Sequence, residues 1–229
     1  MRYVAKRFAF ALILSLASFA LIPVDSFAKG SSPLMSPQSN AFGNSFEQWN
    51  VLQTQWALAL GLGDATELSD TVGRVRLLPG DFTSSTPVFN ITLAPGTPFV
   101  ASPFFVFGER YDDPNVPDDD PIALAAFIAD VFSTAEIQVV LDGRVLIEGV
   151  GGEMEPFLFG PTYFDAPIVY GVPVSRGPGL NSISALWVVG IGAVYHPLPV
   201  GEHTLVYTVQ SPVFGSNTEF TYHITVTPK

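Results

Sequence analysis

Short segments in which apolar and polar residues alternate recur along this chain, and they limit its possible folds more than any other feature of the sequence. Residues 88–93, 136–141 and 220–226 carry apolar side chains at every second position, as strands with one buried face do. Asp142-Gly143, which follows the second segment, is the favoured two-residue hairpin turn. The pattern predicts a mainly β protein, an antiparallel β-sandwich of immunoglobulin-like or jelly-roll-like type.

Other regions extend the predicted β-structure. Residues 99–107 are almost wholly apolar, which indicates a strand buried on both faces. Pro98 and Pro103 indicate an edge or bulged path there, because proline donates no hydrogen bond to a sheet. Residues 185–195 are predicted to form a further strand. Residues 149–181 are rich in glycine, proline and aromatic residues, and we expect them to form long loops over the sheet.

A helix is predicted before the main strands, with a second, shorter helix later in the chain. Large apolar residues recur at spacings of three and four, at Phe46, Trp49, Leu52, Trp56 and Leu60. Ser45 and Gln48 have the spacing of a capping box. The aromatic face of this helix either docks on the sheet or binds a sugar or a partner. Asp120-Pro121 is predicted to start the second helix, over residues 122–132.

The first 28 residues have the pattern of a secretory signal peptide. A basic start is followed by an apolar run over residues 8–24 and by small residues at Ser26 and Ala28, which fit a cleavage site. A membrane anchor is the alternative, but the run is short for a spanning helix and Pro23 interrupts its end. We therefore expect a secreted or periplasmic protein.

The chain is acidic and contains no cysteine. Its formal net charge is −11, and loss of the signal peptide would remove three positive charges and one negative charge, which makes it −13. Such a surface repels phosphate backbones and anionic lipids, so nucleic acid and membrane surfaces are poor partners. Without disulfides, stability depends on burial in a core. We expect a flexible lead-in over residues 29–43 and a single domain over residues 44–229, with no membrane span after signal cleavage.

One segment, residues 112–120, concentrates carboxylates and is stiffened by two prolines. Its aspartates are Asp112, Asp113, Asp118, Asp119 and Asp120. Oxygen ligands at this density suit Ca²⁺, and ion binding would relieve the repulsion among them. The alternative is a hydrated acidic loop whose last aspartate caps a helix. The calcium hypothesis predicts that added calcium raises the melting temperature.

The sequence contains no recognisable catalytic or cofactor-binding motif. The chain has three histidines: His196, His203 and His223. Their spacing suits no metal site, so we expect structural roles for them. Carboxylate pairs such as Glu153 with Glu155, or Glu109 with Asp112, are available as in any acidic protein.

Aromatic residues of the predicted loops are candidate contacts for a sugar ring. They are Phe157, Tyr163, Phe164 and Tyr170. Such residues either stack on a ligand or pack the loops that carry them, and the sequence leaves both interpretations open.

Several motifs resemble a family of uncharacterised bacterial secreted proteins. The resemblance lies in residues 45–49 and 55–58, and in residues 197–205 and 222–226. That family opens with a helix of the form S-Y-x-E-W…W-x-Q-W-A-L and ends with P-L-P-P-G-x-H-T-I and a strand of the form Y-x-I-T-V. Its central D-G hairpin is matched by Asp142-Gly143. The resemblance implies bacterial export and a single domain that includes the helix, and it implies no activity.

The expected function is therefore that of an exported, non-catalytic binding or structural β-sandwich. The alternative is a carbohydrate-binding domain or a carbohydrate-active hydrolase. A polysaccharide or a cell-surface protein is the expected kind of partner.

Overall fold

The protein is mainly β, as predicted, in a computed structural model that describes residues 32–63, 68–81 and 84–228. Its strands are β1 (Asn40–Ala41), β2 (Asn44–Ser45), β3 (Thr71–Val72), β4 (Val75–Leu77), β5 (Val88–Leu93), β6 (Phe99–Tyr111), β7 (Glu136–Leu141), β8 (Arg144–Val150), β9 (Leu158–Gly177), β10 (Leu180–Tyr195), β11 (Gly201–Ser211) and β12 (Ser216–Val226). The helices are α1 (Phe46–Gly61), α2 (Ala125–Thr134) and a 3₁₀ helix, Gly151–Phe157. None of these helices has both the length and the apolar character needed to cross a bilayer. The predicted signal peptide lies outside the described residues.

Two five-stranded sheets form the body of the described chain. Sheet I has the strand order β3-β4-β6-β10-β9, and sheet II has the order β5-β12-β11-β7-β8. Neighbouring strands are antiparallel except in the pairs β4–β6 and β5–β12, which are parallel. Apolar side chains from both sheets join in one core. The arrangement is consistent with a β-sandwich.

Strand β10 is buried along most of its length because sheet I is covered on both faces. Val189 and Ile191 belong to the core shared with sheet II, whereas Val188 and Val194 belong to a second core that includes α1. Successive strand residues point to opposite faces, so an uninterrupted apolar strand needs a layer on each side. The described chain therefore has three layers, with sheet I between α1 and sheet II.

Helix α1 begins at the capping box that the sequence predicted. The Gln48 backbone N–H donates to Ser45 Oγ (3.1 Å), and the Ser45 N–H donates to Gln48 Oε1 (2.8 Å). Trp49 is only 1 % exposed, and its Nε1–H donates to the Ala41 carbonyl oxygen (2.6 Å). Trp56 is half-buried. The helix therefore docks its aromatic side on sheet I.

The buried face of α1 also contains polar residues that apolar spacing did not indicate. Leu60 is exposed, whereas Asn50 and Thr54 are buried. Asn50 Nδ2 donates to the Phe46 carbonyl oxygen (2.8 Å), and Ser102 Oγ on β6 donates to Asn50 Oδ1 (2.6 Å). Thr54 Oγ1 donates to the Asn50 carbonyl oxygen (3.0 Å). Because these groups are hydrogen-bonded, they tolerate burial where the helix meets the sheet.

Gly192 on β10 allows α1 to approach the sheet closely, and we expect Gly192→Ala to destabilise the protein. A methyl group there would lie 2.1 Å from Asn50 Oδ1 and 2.5 Å from Ser102 Oγ. Overpacking of this kind costs about 2 kcal/mol, which lowers the melting temperature by about 4–8 °C in calorimetry. Gly152→Ala is the matched control, because a methyl group there meets no atom within 4 Å. Equal melting temperatures for the two variants would contradict the prediction.

Residues 149–181 do not form the long loops that we expected. The 3₁₀ helix is followed by β9, a 20-residue strand at the edge of sheet I that pairs with β10. Pro161, Pro167 and Pro173 each fall where the register of this pair shifts. Prolines are tolerated at bulges of an edge strand. The same bulges interrupt the alternation of the sequence, so the pattern did not indicate a strand.

The segment predicted as a flexible lead-in, residues 29–43, contacts the sheet where it is described. The Met35 N–H donates to the Val194 carbonyl oxygen (2.9 Å), and Leu34 forms a β-bridge with Tyr195. Pairing with the end of β10 therefore holds a segment whose composition indicated flexibility.

Candidate functional site

The acidic loop, residues 112–120, is held against sheet I through Asp119. The Glu109 backbone N–H donates to Asp119 Oδ2 (2.9 Å), and the Asp119 N–H donates to the Glu109 carbonyl oxygen (2.9 Å). Tyr111 OH donates to the Asp119 carboxylate (3.1 Å), and burial, with the nearby carboxylate, raises the pKa of Tyr111 to about 12. The Trp187 Nε1–H donates to the Asp119 carbonyl oxygen (2.9 Å). Asp119 therefore has a structural role in this conformation.

Two further aspartates tie the acidic loop to other parts of sheet I. Asp112 accepts hydrogen bonds from the Asn181 backbone N–H (3.0 Å) and side-chain amide (2.7 Å). The side-chain bond is the main cause of a lowered pKa at Asp112. Asp118 forms an exposed ion pair with Arg110 on β6, with 2.9 Å between Oδ2 and Nε. The two carboxylates are therefore oriented toward different partners, Asp112 toward Asn181 and Asp118 toward Arg110.

The remaining two aspartates make local turns. Asp113 Oδ1 accepts the Asn115 backbone N–H (2.9 Å), and Asp120 Oδ1 accepts the Ile122 N–H (3.0 Å). The Asp120 bond opens a turn that leads into α2, which begins at Ala125 rather than at the predicted residue 122. Asp120 therefore caps the approach to the helix.

The five predicted calcium ligands are consequently not gathered around one point. Within residues 32–63, 68–81 and 84–228, no group of three or more His, Cys, Asp or Glu side chains is placed to hold a metal ion. Hydrogen bonds and an ion pair of its own aspartates attach the acidic loop to the sheet.

We expect millimolar calcium to leave the melting temperature as it is in chelator, because the carboxylates already have other partners. An ion raises the melting temperature only if it binds the folded protein. Calorimetry of the wild type and of Asp113→Asn would test this. A rise of several degrees that the variant loses would show that the loop rearranges around calcium, as the sequence hypothesis requires.

An ion pair between the buried Glu109 and the partly exposed Arg176 lies beside the acidic loop at the end of sheet I. Arg176 on β9 donates to both oxygens of Glu109, with Nε to Oε2 and Nη2 to Oε1 distances of 2.6 Å, and Tyr170 OH donates to Oε1 (2.9 Å). The hydrogen bond to Glu109 raises the pKa of Arg176, and burial raises the pKa of Tyr170. The sequence offered Glu109 and Asp112 as a carboxylate pair. In the structure Glu109 instead binds Arg176, and Asp112 binds Asn181.

The predicted sugar-stacking residues do not share one exposed surface. Phe164 and Tyr170 are buried in the core that includes α1, and Phe157 is half-buried. Tyr163 is 57 % exposed. Phe157 lies in the 3₁₀ helix before β9, and Tyr163 and Phe164 are successive residues of β9, which point to opposite faces of the strand. Carbohydrate binding stays a prediction, with Tyr163 as its most accessible ring.

The histidines lie on different elements. His203 is buried, with 2.7 Å between its Nδ1 and Asp142 Oδ2 and 2.9 Å between its Nε2 and the Pro199 carbonyl oxygen. Asp142 Oδ1 also accepts the Thr204 N–H (2.8 Å). These bonds connect the hairpin turn to β11. His196 and His223 are exposed at the end of β10 and on β12.

Helix α2, the turn that precedes it and the turn between β11 and β12 expose apolar side chains, which we name the α2 surface: Ile122, Phe127 and Phe214. Ile122 is 84 % exposed, Phe127 42 % and Phe214 49 %. The two phenylalanine rings meet edge to face, with 6.1 Å between their centroids. The opposite side of α2 packs Val131 and Phe132 into the core between the sheets. The helix is therefore fixed by one side and presents apolar residues to solvent on the other.

The α2 surface lies in the most uniformly acidic part of the sequence. Residues 111–143 contain eight carboxylates and no lysine or arginine. Asp130 belongs to α2 itself and is exposed. A surface that combines exposed apolar groups with negative charge is complementary to one that combines apolar groups with positive charge. Sequence reasoning did not find this surface, because Phe214 reaches Phe127 only in the folded chain.

The chain matches no model of a known protein family, and no curated protein matches it in sequence.

Proposed function

We propose that this protein is an exported, non-catalytic binding β-sandwich that recognises a protein partner through the α2 surface. The observation that carries the proposal is the exposure of Ile122, Phe127 and Phe214 together with the ring contact between the two phenylalanines. Contiguous exposed apolar groups rimmed by polar residues are typical of interaction sites. The signal-peptide pattern of residues 1–28 and the resemblance to bacterial secreted proteins support export.

Charge identifies the kind of partner. A second copy of this chain would bring the acidic segment 111–143 against its own counterpart in a two-fold interface, and the like charges would repel. Anionic lipid would be repelled for the same reason. The partner is therefore a protein segment that presents apolar side chains flanked by lysine or arginine, such as an amphipathic helix.

The proposal can be tested with a synthetic amphipathic helix of leucine and lysine as the probe, and a leucine–glutamate helix of the same pattern as its control. Isothermal titration should show binding of the lysine helix only, weakened at least tenfold, about 1.4 kcal/mol, by Phe127→Ser or Phe214→Ser. Val169→Ser and Val172→Ser, at exposed apolar positions on β9, are matched controls that should bind like the wild type.

Three results would overturn the proposal. The first is no binding of the lysine helix, and the second is binding of the Phe127 and Phe214 variants as tight as that of the wild type. Sedimentation could instead reveal a dimer that only these variants lose, which would assign the surface to a second copy. Circular dichroism confirms that each variant is folded.

A further inference from the structure

A cavity of about 210 Å³ lies beside β6, on the side where the edge strands of both sheets are short, and its lining comes from α1, from β6 and from sheet II. In the described chain, β4 pairs with β6 at Phe99 and Val100, and β5 pairs with β12 from Thr221 onward. The next part of β6 and the first residues of β12 therefore border a gap. The lining includes Gln53, Ser102, Phe104, Phe107, Val209 and Phe220.

Gln53 supplies an unpaired hydrogen-bond acceptor in this lining. Its side chain comes from α1 and is 2 % exposed. Its Nε2–H donates to the Leu78 carbonyl oxygen (2.7 Å), which fixes the orientation of the amide. Its Oε1 accepts no hydrogen bond within the described part of the chain. Buried polar atoms are nearly always paired, so an unpaired one favours a ligand that supplies the missing donor.

Two other polar groups of the lining already have partners. Ser102 Oγ donates to Asn50 Oδ1 (2.6 Å), and Tyr222 OH donates to the Pro79 carbonyl oxygen (2.8 Å). Both hydroxyl groups therefore already donate a hydrogen bond within the protein. Gln53 Oε1, in contrast, is an acceptor to which no group of the described chain donates.

The rest of the cavity suits a small ring. Phe104, Val209 and Phe220 belong to the core between the sheets and form an apolar wall. Aromatic rings prefer offset or edge-to-face contacts with other rings. The volume lies below the range of about 300–1,000 Å³ that is usual for ligands of drug size. A single ring is therefore the appropriate size.

We propose that this cavity binds a small aromatic alcohol or amine. The ring packs against Phe104, Val209 and Phe220, and the O–H or N–H of the ligand donates to Gln53 Oε1. The site is separate from the α2 surface, so it does not depend on the function proposed above.

Phenol and anisole are suitable probes, because they share the ring but only phenol carries an O–H. In a titration of ¹⁵N-labelled protein, phenol should shift the side-chain amide resonances of Gln53 and should bind at least tenfold more tightly than anisole. Gln53→Met, which keeps the chain length without the amide, should bind the two probes alike. Thr218→Phe places a large side chain on a partly exposed lining residue and should weaken both probes.

Equal affinity of the wild type for phenol and anisole would overturn the proposal, as would the absence of saturable binding by phenol. If Gln53→Met does not fold, the comparison of the two probes on the wild type still decides the question. Phe127→Ser should bind phenol normally, so failure of the cavity proposal is distinguishable from failure of the α2 surface.

Discussion

Between pH 8 and pH 11, the protein should lose at least about 4 kcal/mol of its free energy of unfolding. Three tyrosines in the core between the sheets cause most of this loss, Tyr195, Tyr207 and Tyr222, and the buried Tyr170 adds to it. Burial raises the pKa of each phenol well above its ordinary value near 10. Tyr195 and Tyr207 also share a hydrogen bond between their hydroxyls, and Tyr222 OH donates to the Pro79 carbonyl oxygen (2.8 Å).

The sign follows from which state releases protons. The folded protein keeps these phenols neutral, whereas the unfolded chain ionises them as the pH passes 10. Their contribution to stability is therefore complete below pH 10 and is lost as the pH rises toward the folded pKa values. At pH 11 each phenol accounts for about 1.4 kcal/mol, and the sum is a large part of the usual total of about 5–15 kcal/mol.

Urea unfolding at pH 8, 10 and 11, followed by circular dichroism, measures this loss. Tyr222→Phe should reduce the loss by about 1.4 kcal/mol, because one of the titrating groups is gone. Tyr163→Phe is the matched control, since Tyr163 is 57 % exposed and should leave the loss unchanged. Constant stability up to pH 11 would show that the three phenols are not buried as described.

Arg176→Ala should destabilise the protein by about 2–3 kcal/mol. The substitution leaves the buried Glu109 carboxylate without the guanidinium that donates to both of its oxygens. Arg176 is itself partly exposed, so the cost lies below that of a fully buried pair. Arg176→Lys should recover little, because lysine cannot make the two-point contact.

Urea unfolding of a double variant separates charge from packing. Glu109→Gln combined with Arg176→Ala should recover most of the lost stability, because no unpaired charge is left in the core. Arg144→Ala, at an exposed position in the hairpin turn, is the matched control and should cost little. If Arg176→Ala were no more destabilising than Arg144→Ala, the ion pair would have no stabilising role.

Local features were predictable because neighbouring residues determine them. Asp142 and Gly143 both have positive φ angles, 51° and 77°, as the two-residue turn requires. The capping box of α1 and the alternating strands β5, β7 and β12 depend on short-range spacing in the same way. The bulged path predicted from Pro103 also appears, as a register shift in β6 between Ala101 and Phe104.

The candidate sites depended on contacts between distant residues, which no local pattern contains. Arg176 lies 67 positions after Glu109 in the sequence and pairs with it in the folded protein. Phe214 contacts Phe127, although strands of both sheets lie between them in the chain. Gln53 lies outside the apolar pattern that predicted α1, yet it is buried beside a cavity at the place where two edge strands end early.

The sequence by itself determined the strand class, the hairpin turn and the start of α1, because backbone geometry and side-chain period act over a few residues. Only the tertiary structure decided that β9 is a strand, although its sequence lacks regular alternation of apolar and polar residues. Pairing with β10 holds the segment extended, and bulges accommodate its prolines. The tertiary structure also decided where each carboxylate of the acidic loop points, because each one is oriented by the partner that folding brings to it.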